Sequence, residues 1–239
     1  MERSELVHLF EKHVLEYFLG DELYKSIASR LTFIPTSGEK MNHFLASNVI
    51  TTCGLFSRVF IPYPFSPQFQ RVLRIHRIKS NDYRYVDYRT GHLNFGGMLE
   101  DFYLCPHHSC FVLSVPGCYP TGLCLCDSEW EEILKCCAEH EHVIWFIASH
   151  LGLRSGNGYV DFAPIRECIK LGIDCMVSLD LESSLMAPGT GMAALFVVRG
   201  EEGSHDRLVD ISGMFDQATT RGMQLCSSLF SEPQKMQQW

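Results

Sequence analysis

The chain has 239 residues, 46% of them apolar, and a formal net charge of −8 at pH 7. This apolar fraction is enough for the core of one large globular domain. The acidic balance leaves no strongly basic face, which argues against a protein that binds nucleic acid through the phosphate backbone. No apolar run reaches the roughly 18 residues of a transmembrane helix. The first residues include Glu2, Glu5 and Glu11, unlike a secretory signal or a transit peptide, so we expect a cytosolic protein.

Predicted helices and strands alternate along the chain. Two short helices are expected over about 4–28 around Gly20, then a strand over 31–35, and Ser37 is a candidate N-cap for a helix over about 40–53. The remaining predicted strands cover 58–62, 72–78, 111–115, 142–148, 173–177 and 193–198, and the remaining helices cover 95–102, 128–140, 164–171 and most of the chain after His205. The tyrosine-rich segment between 80 and 95 predicts a loop. Strands separated by helices of crossover length predict an α/β fold with a three-layer, mainly parallel, doubly wound sheet flanked by helices.

Residues 172–191 combine a buried strand with a polar turn. Their first part is apolar and short, as a buried strand is, and Asp180 and Glu182 follow near its end. In open α/β sheets, ligands bind beyond the carboxyl ends of the strands, so we expect the functional site here. The chain contains neither lysine nor arginine between Lys170 and Arg199.

Cysteine and histidine are concentrated between residues 105 and 142. The side chains concerned are Cys105, His107, His108, Cys110, Cys118, Cys124, Cys126, Cys136, Cys137, His140 and His142. Thiolate and imidazole are the usual ligands of structural zinc, so a zinc-binding module is one hypothesis. The spacing contains no CxxC pair, and Cys110 begins a predicted buried strand. The alternative is a set of buried, reduced thiols and surface imidazoles with no metal.

Several sequence motifs follow one another in a characteristic order. They are RVFIPYPF, DYRYVDYRTGHLNFGGMLEDF, CYPTG followed by DSEWEEI, WFIASHLGLRSGNG, and the 172–191 stretch. In this order and spacing, the chain resembles the large domain of aspartate aminotransferases, class I members of the fold-type-I enzymes that use pyridoxal phosphate. The resemblance implies an N-terminal helical segment over 1–30, an α/β large domain over 31–231 and the truncated start of a small domain over 232–239.

The resemblance also implies where the family's phosphate and ring contacts fall in this sequence. The helix start that binds the cofactor phosphate falls on Ser37, Gly38 and Glu39, and the tryptophan that stacks on the cofactor ring falls near Phe65 or Ser66. A carboxylate at Glu39 repels a phosphate dianion unless Lys40 offsets its charge. We therefore expect a weakened phosphate site.

Most of the family's ring-binding and reactive positions are substituted here. The asparagine that binds the ring hydroxyl falls on Tyr119, the aspartate that pairs with the pyridine nitrogen falls on Ile147, and the tyrosine three residues later falls on His150. The Schiff-base lysine falls on Glu182, and a phosphate-binding arginine falls on Thr190. Without the aspartate the ring is a poor electron sink, and a carboxylate cannot form an imine. We therefore expect a degenerate active site to which pyridoxal phosphate is not bound covalently.

These substitutions lead to three hypotheses about function. The first is a catalytically inactive aspartate aminotransferase-like protein that acts through protein contacts, as a homodimer or as a heterodimer with an intact homologue, and binds neither nucleic acid nor membrane. The second is an active transaminase between L-aspartate and 2-oxoglutarate that holds its cofactor noncovalently or through an unexpected residue. The third is the zinc-binding module. An α/β domain unrelated to aminotransferases would show the same alternation of elements and also stays open.

Overall fold

The computed structural model describes residues 2–53, 56, 58–199 and 219–232. Its helices are α1 (Arg3–Leu19), α2 (Asp21–Ile27), α3 (Glu39–Cys53), α4 (Pro67–Ile75), α5 (Phe95–Leu104), α6 (Asp127–Glu139), α7 (Gly158–Asp161), α8 (Ala163–Lys170), α9 (Leu181–Ser184) and α10 (Thr220–Phe230), with a 3-10 turn at Ala28–Arg30. Its strands are β1 (Leu31–Thr36), β2 (Val59–Tyr63), β3 (Ser80–Arg84), β4 (Val86–Asp87), β5 (His92–Leu93), β6 (Cys110–Val115), β7 (Val143–Ala148), β8 (Cys175–Asp180) and β9 (Ala193–Val198). None of the helices within these ranges is long and apolar enough to span a membrane. The predicted start of a small domain, beyond residue 232, and residues 205–218 of the predicted C-terminal helical region lie outside the described residues.

Seven strands form one sheet in the order β1-β9-β8-β7-β6-β2-β3. The pairs β8 with β7, β7 with β6, β6 with β2 and β2 with β3 are parallel, and β9 runs antiparallel to both of its neighbours. Strands β4 and β5 form a separate antiparallel pair. The predicted α/β fold with a mainly parallel sheet flanked by helices is therefore confirmed. Because β9 lies antiparallel between β1 and β8, these two strands point the same way and end at the same edge of the sheet.

The central strands are buried on both faces, which explains their nearly continuous apolar sequence. Every residue of β8 and β9 is buried, and so is every residue of β7 after Val143. Trp145 is completely buried, and its indole N–H donates to the Ser178 hydroxyl at 3.0 Å. Burial of each large apolar side chain contributes about 1.5–3 kcal/mol. The hydrogen bond satisfies the one polar group that the indole brings into the core.

Helix α1 packs against α10 and against β1. Its buried residues Leu6, Phe10, Val14 and Phe18 recur every four positions, so they lie on one face of the helix. Gly20 follows the helix with a φ of 82°, a left-handed conformation that favours glycine, and α2 begins directly after it. The two helices predicted around Gly20 are therefore present.

A buried arginine links α1 to the segment around α7. The Arg166 guanidinium donates to the Phe18 carbonyl at 3.0 Å and to the Tyr159 carbonyl at 2.6 Å. Its central carbon also lies 3.7 Å from the centre of the Tyr159 ring, a cation–π geometry. Two carbonyl oxygens and one aromatic face therefore stabilise the charge of this guanidinium.

The strand predicted over 72–78 is wrong, because this segment lies in helix α4 and the turn after it. The Ser66 hydroxyl accepts from the Phe69 N–H at 3.4 Å, and Pro67 occupies the first helical position. A capping serine followed by proline is a typical helix start. The buried residues Phe69 and Leu73 are four positions apart, as one helical face requires. The strand of the sheet comes later, as β3, inside the tyrosine-rich segment for which the sequence predicts a loop.

A buried asparagine holds α3 on the ends of β1 and β8. The Asn42 backbone N–H donates to the Gly38 carbonyl at 3.1 Å, which makes Gly38, and not the predicted Ser37, the N-cap of the helix. The side-chain amide of Asn42 accepts from the Thr36 hydroxyl and donates to the Leu179 carbonyl at 3.1 Å. Because Asn42 is fully buried, water cannot replace these hydrogen bonds if they are lost.

Replacement Asn42→Ala is expected to lower the free energy of unfolding by about 2–3 kcal/mol, because it leaves the Leu179 carbonyl and the Thr36 hydroxyl buried without their partner. Urea unfolding followed by circular dichroism measures the change. The control Asn48→Ala, at a half-buried position of the same helix, is expected to cost less than about 1 kcal/mol. Equal losses for the two variants would contradict the role assigned to Asn42.

Candidate functional site

A cavity of about 590 Å³ opens at the edge of the sheet where β1 and β8 end. Its walls come from the start of α3, from the end of β8 with α9, and from the turn after α9. The lining residues are Ser37, Gly38, Glu39, Lys40, Asp180, Glu182, Ser183, Met186 and Pro188. The 172–191 stretch predicts a ligand site at this edge, and the cavity lies there.

The Glu182 carboxylate is bound by the backbone of its own chain. One oxygen accepts from the Gly189 N–H at 2.6 Å, and the other accepts from the Gly191 N–H at 2.9 Å. Both glycines have positive φ values, 79° and 60°, a conformation that other residues rarely adopt. This backbone geometry directs two N–H groups toward one anion. The turn over 185–191 therefore binds a carboxylate of its own chain, that of Glu182.

Asp180 is the N-cap of α9. One oxygen of its carboxylate accepts from the Glu182 N–H at 3.1 Å and from the Ser183 N–H at 3.4 Å. Its backbone carbonyl accepts from the Ser184 hydroxyl at 2.7 Å. An N-cap aspartate stabilises a helix start by about 0.5–2 kcal/mol. In a helix as short as α9, this cap also holds the backbone from which Glu182 reaches the turn.

Glu39 and Asp180 lie close enough to repel one another. Burial, followed by repulsion from Asp180, raises the pKa of the Glu39 carboxyl, while His150 and Lys40 act in the opposite direction. Burial, followed by repulsion from Glu182, raises the pKa of the Asp180 carboxyl. Both carboxyls therefore hold a proton more tightly than usual, mainly because of burial and to a smaller extent because of the neighbouring carboxylate.

Beside Glu39, the imidazole of His43 is 8% exposed, and its Nε2 has no hydrogen-bond partner among the described residues. This nitrogen lies 3.9 Å from a Glu39 oxygen, which is too far for a hydrogen bond. The ring packs edge-on against Phe69, with the ring centres 4.9 Å apart. Burial lowers the pKa of His43 to about 4, so the imidazole is neutral at pH 7. Sequence reasoning missed His43, because a single histidine on a helix face forms no pattern.

Some of the residues that the family resemblance implies for cofactor binding lie together at the cavity. Ser37, Gly38, Glu39 and Glu182 line it. His150 lies near enough for its charge to act on Glu39. The structure therefore brings together the implied phosphate-binding helix start and the implied lysine position.

The other implied residues do not contribute to the cavity wall. Phe65 is buried and packs edge-on against a core phenylalanine at 5.1 Å, and Ile147 is buried within β7. Tyr119 is 70% exposed on the turn after β6. The Thr190 hydroxyl donates to the Ala187 carbonyl at 2.6 Å. The roles that the resemblance implies for these four residues stay predictions.

The cysteines and histidines between 105 and 142 form no recognisable metal centre. Throughout the described ranges, no three His, Cys, Asp or Glu side chains are arranged to hold a metal ion. Burial raises the pKa of Cys136 to about 11 and that of Cys118 to about 12, whereas zinc binds thiolates. One ring N–H of His140 donates to the Cys136 carbonyl at 3.1 Å, and one of His142 donates to the Phe102 carbonyl at 3.1 Å. The zinc-binding module therefore has no support in this part of the chain.

Comparison with known proteins finds relatives over most of the chain. A family model described as aminotransferase class I and II matches residues 3–178. The cytoplasmic aspartate aminotransferase of Dictyostelium discoideum is 24% identical over 186 residues, which are 76% of this chain and 42% of that protein. The mitochondrial aspartate aminotransferase of Gallus gallus is 24% identical over 190 residues, which are 77% of this chain and 45% of that protein. The chain thus spans less than half the length of these relatives. The two relatives belong to different compartments, so the cytosolic location of this chain stays a prediction.

Solved structures share the fold. An aromatic amino acid aminotransferase from Burkholderia cenocepacia has a TM-score of 0.88 and 19% identity, over 98% of this chain and 60% of that one. A mitochondrial aspartate aminotransferase from Trypanosoma brucei has a TM-score of 0.88 and 17% identity, over 97% of this chain and 64% of that one. An aromatic-amino-acid aminotransferase from Burkholderia pseudomallei, with a TM-score of 0.87, is covalently bound to pyridoxal phosphate. At these identities, the likeness establishes the fold alone.

Replacement Glu182→Ala is expected to lower the free energy of unfolding by about 1–2 kcal/mol, because the Gly189 and Gly191 N–H groups lose a charged acceptor. The loss stays below the full value of two such bonds because water reaches this partly exposed turn. Denaturant unfolding measures the change, and Glu182→Gln, which keeps one acceptor oxygen, is expected to recover part of it. Equal stability of the wild type and Glu182→Ala would show that these bonds do not hold the turn.

The raised pKa of Glu39 means that the folded state binds a proton more tightly than the unfolded state, so stability falls as pH rises through the raised value. Glu39→Gln is expected to be more stable than the wild type at pH 7, by less than about 1 kcal/mol because 46% of the Glu39 side chain is exposed. The gain is expected to vanish near pH 4, where the wild-type carboxyl is protonated. Urea unfolding at both pH values measures it. A gain that does not change with pH would exclude this titration as its cause.

Proposed function

Because the chain belongs to the aminotransferase class I and II family, whose model matches residues 3–178, we propose that it is an aspartate aminotransferase-like protein without transaminase activity that acts through contacts with other proteins. The observation that carries this proposal is Glu182, in the first turn of α9 at the end of β8. The family resemblance puts the Schiff-base lysine at this position. Here the side chain is a carboxylate, and the turn that follows binds it.

A glutamate cannot take over either of the two chemical roles of the lysine. A lysine amine attacks a carbonyl carbon to form an imine, and it serves as the base that moves the proton of the substrate carbon. A carboxylate has no nitrogen with which to form the imine. Within the described residues, the lysine that lines the cavity is Lys40, at the start of α3. The alternative, an active transaminase with an unexpected reactive residue, therefore depends on Lys40.

The residues present do not fit pyridoxal phosphate. Its phosphate is a dianion, and the described cavity walls set the carboxylates of Glu39, Asp180 and Glu182 against the ammonium group of Lys40. These carboxylates would repel the negatively charged phosphate. The turn N–H groups suited to a phosphate already donate to Glu182. We therefore assign no reaction step to this cofactor in the chain.

Exposed side chains along the same edge of the sheet support a role in protein contacts. Tyr63 ends β2, Tyr119 follows β6 and Met186 follows α9, and they are 50%, 70% and 69% exposed. Tyrosine and methionine are enriched at protein interfaces. The proposed partner is a second copy of the chain or an intact homologue. The net charge of −8 disfavours a nucleic acid.

Titration of the purified protein with pyridoxal phosphate tests the loss of the cofactor site, with visible absorbance, borohydride reduction and peptide mapping as readouts. We expect no saturable absorbance change and no labelling of Lys40 above the level of exposed lysines such as Lys25 and Lys135, because the cavity repels the phosphate. Turnover of L-aspartate with 2-oxoglutarate is expected to stay at the level of a protein-free blank. The mitochondrial aspartate aminotransferase of Gallus gallus serves as the positive control.

A reduced peptide labelled at Lys40, or turnover above the blank, would favour the active transaminase instead. The variant Lys40→Arg then decides whether this lysine is responsible, because arginine keeps the charge but does not form the imine. Light scattering tests the contact role, for which we expect a dimer or a complex with an intact homologue. A monodisperse monomer that binds no homologue would contradict that role.

A further inference from the structure

We propose that helix α4 and the turn after it bind a carboxylate-rich segment of a partner protein. The composition of the whole chain predicts no strongly basic face, but the sequence between Glu39 and Asp82 contains neither Asp nor Glu. Five of the cations in this stretch, together with one exposed isoleucine, form what we call the cationic surface: Arg58, Arg71, Arg74, Ile75, Arg77 and Lys79. The inference gives the proposed contact role a partner of stated chemistry, and it rests on the proposed function in that respect alone.

Helix α4 buries one of its faces and presents cations on the opposite one. Phe69 and Leu73 are buried, whereas Arg71, Arg74 and Ile75 are exposed. At about 100° of rotation per residue, the three exposed positions lie on the side of the helix away from the two buried ones. Arg71 and Arg74 are three positions apart, so their Cβ atoms lie about 5–6 Å from each other. Ile75, which is 69% exposed, therefore offers an apolar contact beside two guanidinium groups.

The turn after α4 brings further cations to the same end of the helix. The Arg77 N–H donates to the Arg74 carbonyl at 3.0 Å, which keeps Arg77 next to the last turn of the helix. The Lys79 carbonyl accepts from the Val59 N–H at 3.0 Å, which places Lys79 beside Arg58 where β2 begins. Because β2 and β3 are parallel, α4 returns the chain to the edge of the sheet where both strands start. The turn and the end of α4 therefore lie at the edge opposite to the cavity.

The chain itself leaves these charges without a counterion. Within the described ranges, none of the side chains of Arg71, Arg74, Arg77 and Lys79 forms an ion pair. Like charges three positions apart in a helix destabilise it. Arg77 has a φ of 56°, a left-handed conformation that favours glycine after a helix. The arrangement thus lowers the stability of the free chain, and a ligand that neutralises the charges would offset this loss.

The type and spacing of these residues favour carboxylates of a protein over other anions. Four of the five cations are arginines, whose guanidinium groups bind carboxylates through two parallel hydrogen bonds and which are enriched at protein interfaces. They are spread along α4 and the turn, so they match several singly charged groups better than one phosphate. Ile75 adds a contact for an apolar side chain between those groups.

The net charge of the chain argues against a larger polyanion as the ligand. A nucleic acid duplex or an anionic membrane extends beyond the cationic surface and meets the rest of a protein that carries a formal charge of −8. At physiological salt, charges are screened over about 8 Å, so a short acidic segment interacts mainly with the cations that it touches. The cationic surface is therefore suited to a short acidic segment.

Fluorescence anisotropy of the full chain with a labelled peptide of repeated Glu-Glu-Leu units tests the surface. A peptide of Gln-Gln-Leu units is the uncharged control. We expect saturable binding of the acidic peptide, weakened by added salt, and no binding of the control. The double variant Arg71→Gln, Arg74→Gln is expected to weaken binding about tenfold or more. The matched double variant Arg89→Gln, Arg154→Gln removes the same charge from exposed positions outside the surface and is expected to leave the affinity unchanged.

The variant Arg77→Gly separates binding from stability. Glycine adopts the left-handed conformation without strain, so the urea midpoint of unfolding is expected to rise. Loss of the guanidinium is expected to weaken binding of the acidic peptide by about twofold or more. Higher stability with unchanged peptide affinity would exclude Arg77 from the surface.

Three outcomes overturn the inference. The first is no binding of the acidic peptide to protein whose circular dichroism shows the native fold. The second is peptide binding that the Arg71→Gln, Arg74→Gln variant leaves unchanged, because the site would then lie elsewhere. The third is loss, in this variant, of an equal or tighter affinity for duplex DNA, for phosphatidylserine vesicles or for a second copy of the chain, since the surface would then serve that ligand. The cofactor titration and light scattering with an intact homologue test the proposed function separately, so a failure limited to the acidic peptide refutes the cationic surface alone.

Discussion

The hydrogen bonds from Gly189 and Gly191 to the Glu182 carboxylate determine the character of the whole cavity. They fix the turn after α9 around an anion that belongs to the chain, and they use the backbone donors that would otherwise serve an external anion. The internal carboxylate also adds to the negative charge of Asp180, which in turn acts on Glu39. The negative charge at this end of β8 is therefore set by side chains of the chain itself.

The sheet around this cavity follows from simple sequence features, with two instructive exceptions. Strands β7 and β9 lie within one residue of their predicted bounds because strands buried on both faces have continuous apolar sequences. Strand β8 begins two residues later and ends three residues later than predicted, because its polar residues Ser178 and Asp180 are also buried in the strand. The segment of helix α4 predicts a strand because its apolar residues lie close together in sequence, although Ser66 and Pro67 mark a helix start. The sequence of strand β3 predicts a loop because this strand lies at the edge of the sheet, buries only Tyr83 of its five residues and lacks a clear alternation.

The location of the candidate site was predictable from the sequence, whereas its electrostatics were not. Polar residues after an apolar run place the site at the end of β8, and the family resemblance marks Glu182 as a changed position. The partners of Glu182 depend on the positive φ values of two glycines, which the sequence allows but does not specify. The unpartnered nitrogen of His43 depends on aromatic neighbours, Phe69 and Trp145, that are distant in the chain. Such features arise only from tertiary packing.

The buried guanidinium of Arg166 couples the N-terminal helix to the segment around α7. One of its two carbonyl acceptors is supplied by Phe18, at the far end of α1, across 148 positions of sequence. A shortened protein that started after this helix would lose this acceptor, and the aromatic residues Phe162 and Phe230, against which Phe18 packs, would become exposed to water. Loss of α1 is therefore expected to loosen the segment around α7 and α8 as well, because Arg166 of α8 connects the first helix to the Tyr159 carbonyl.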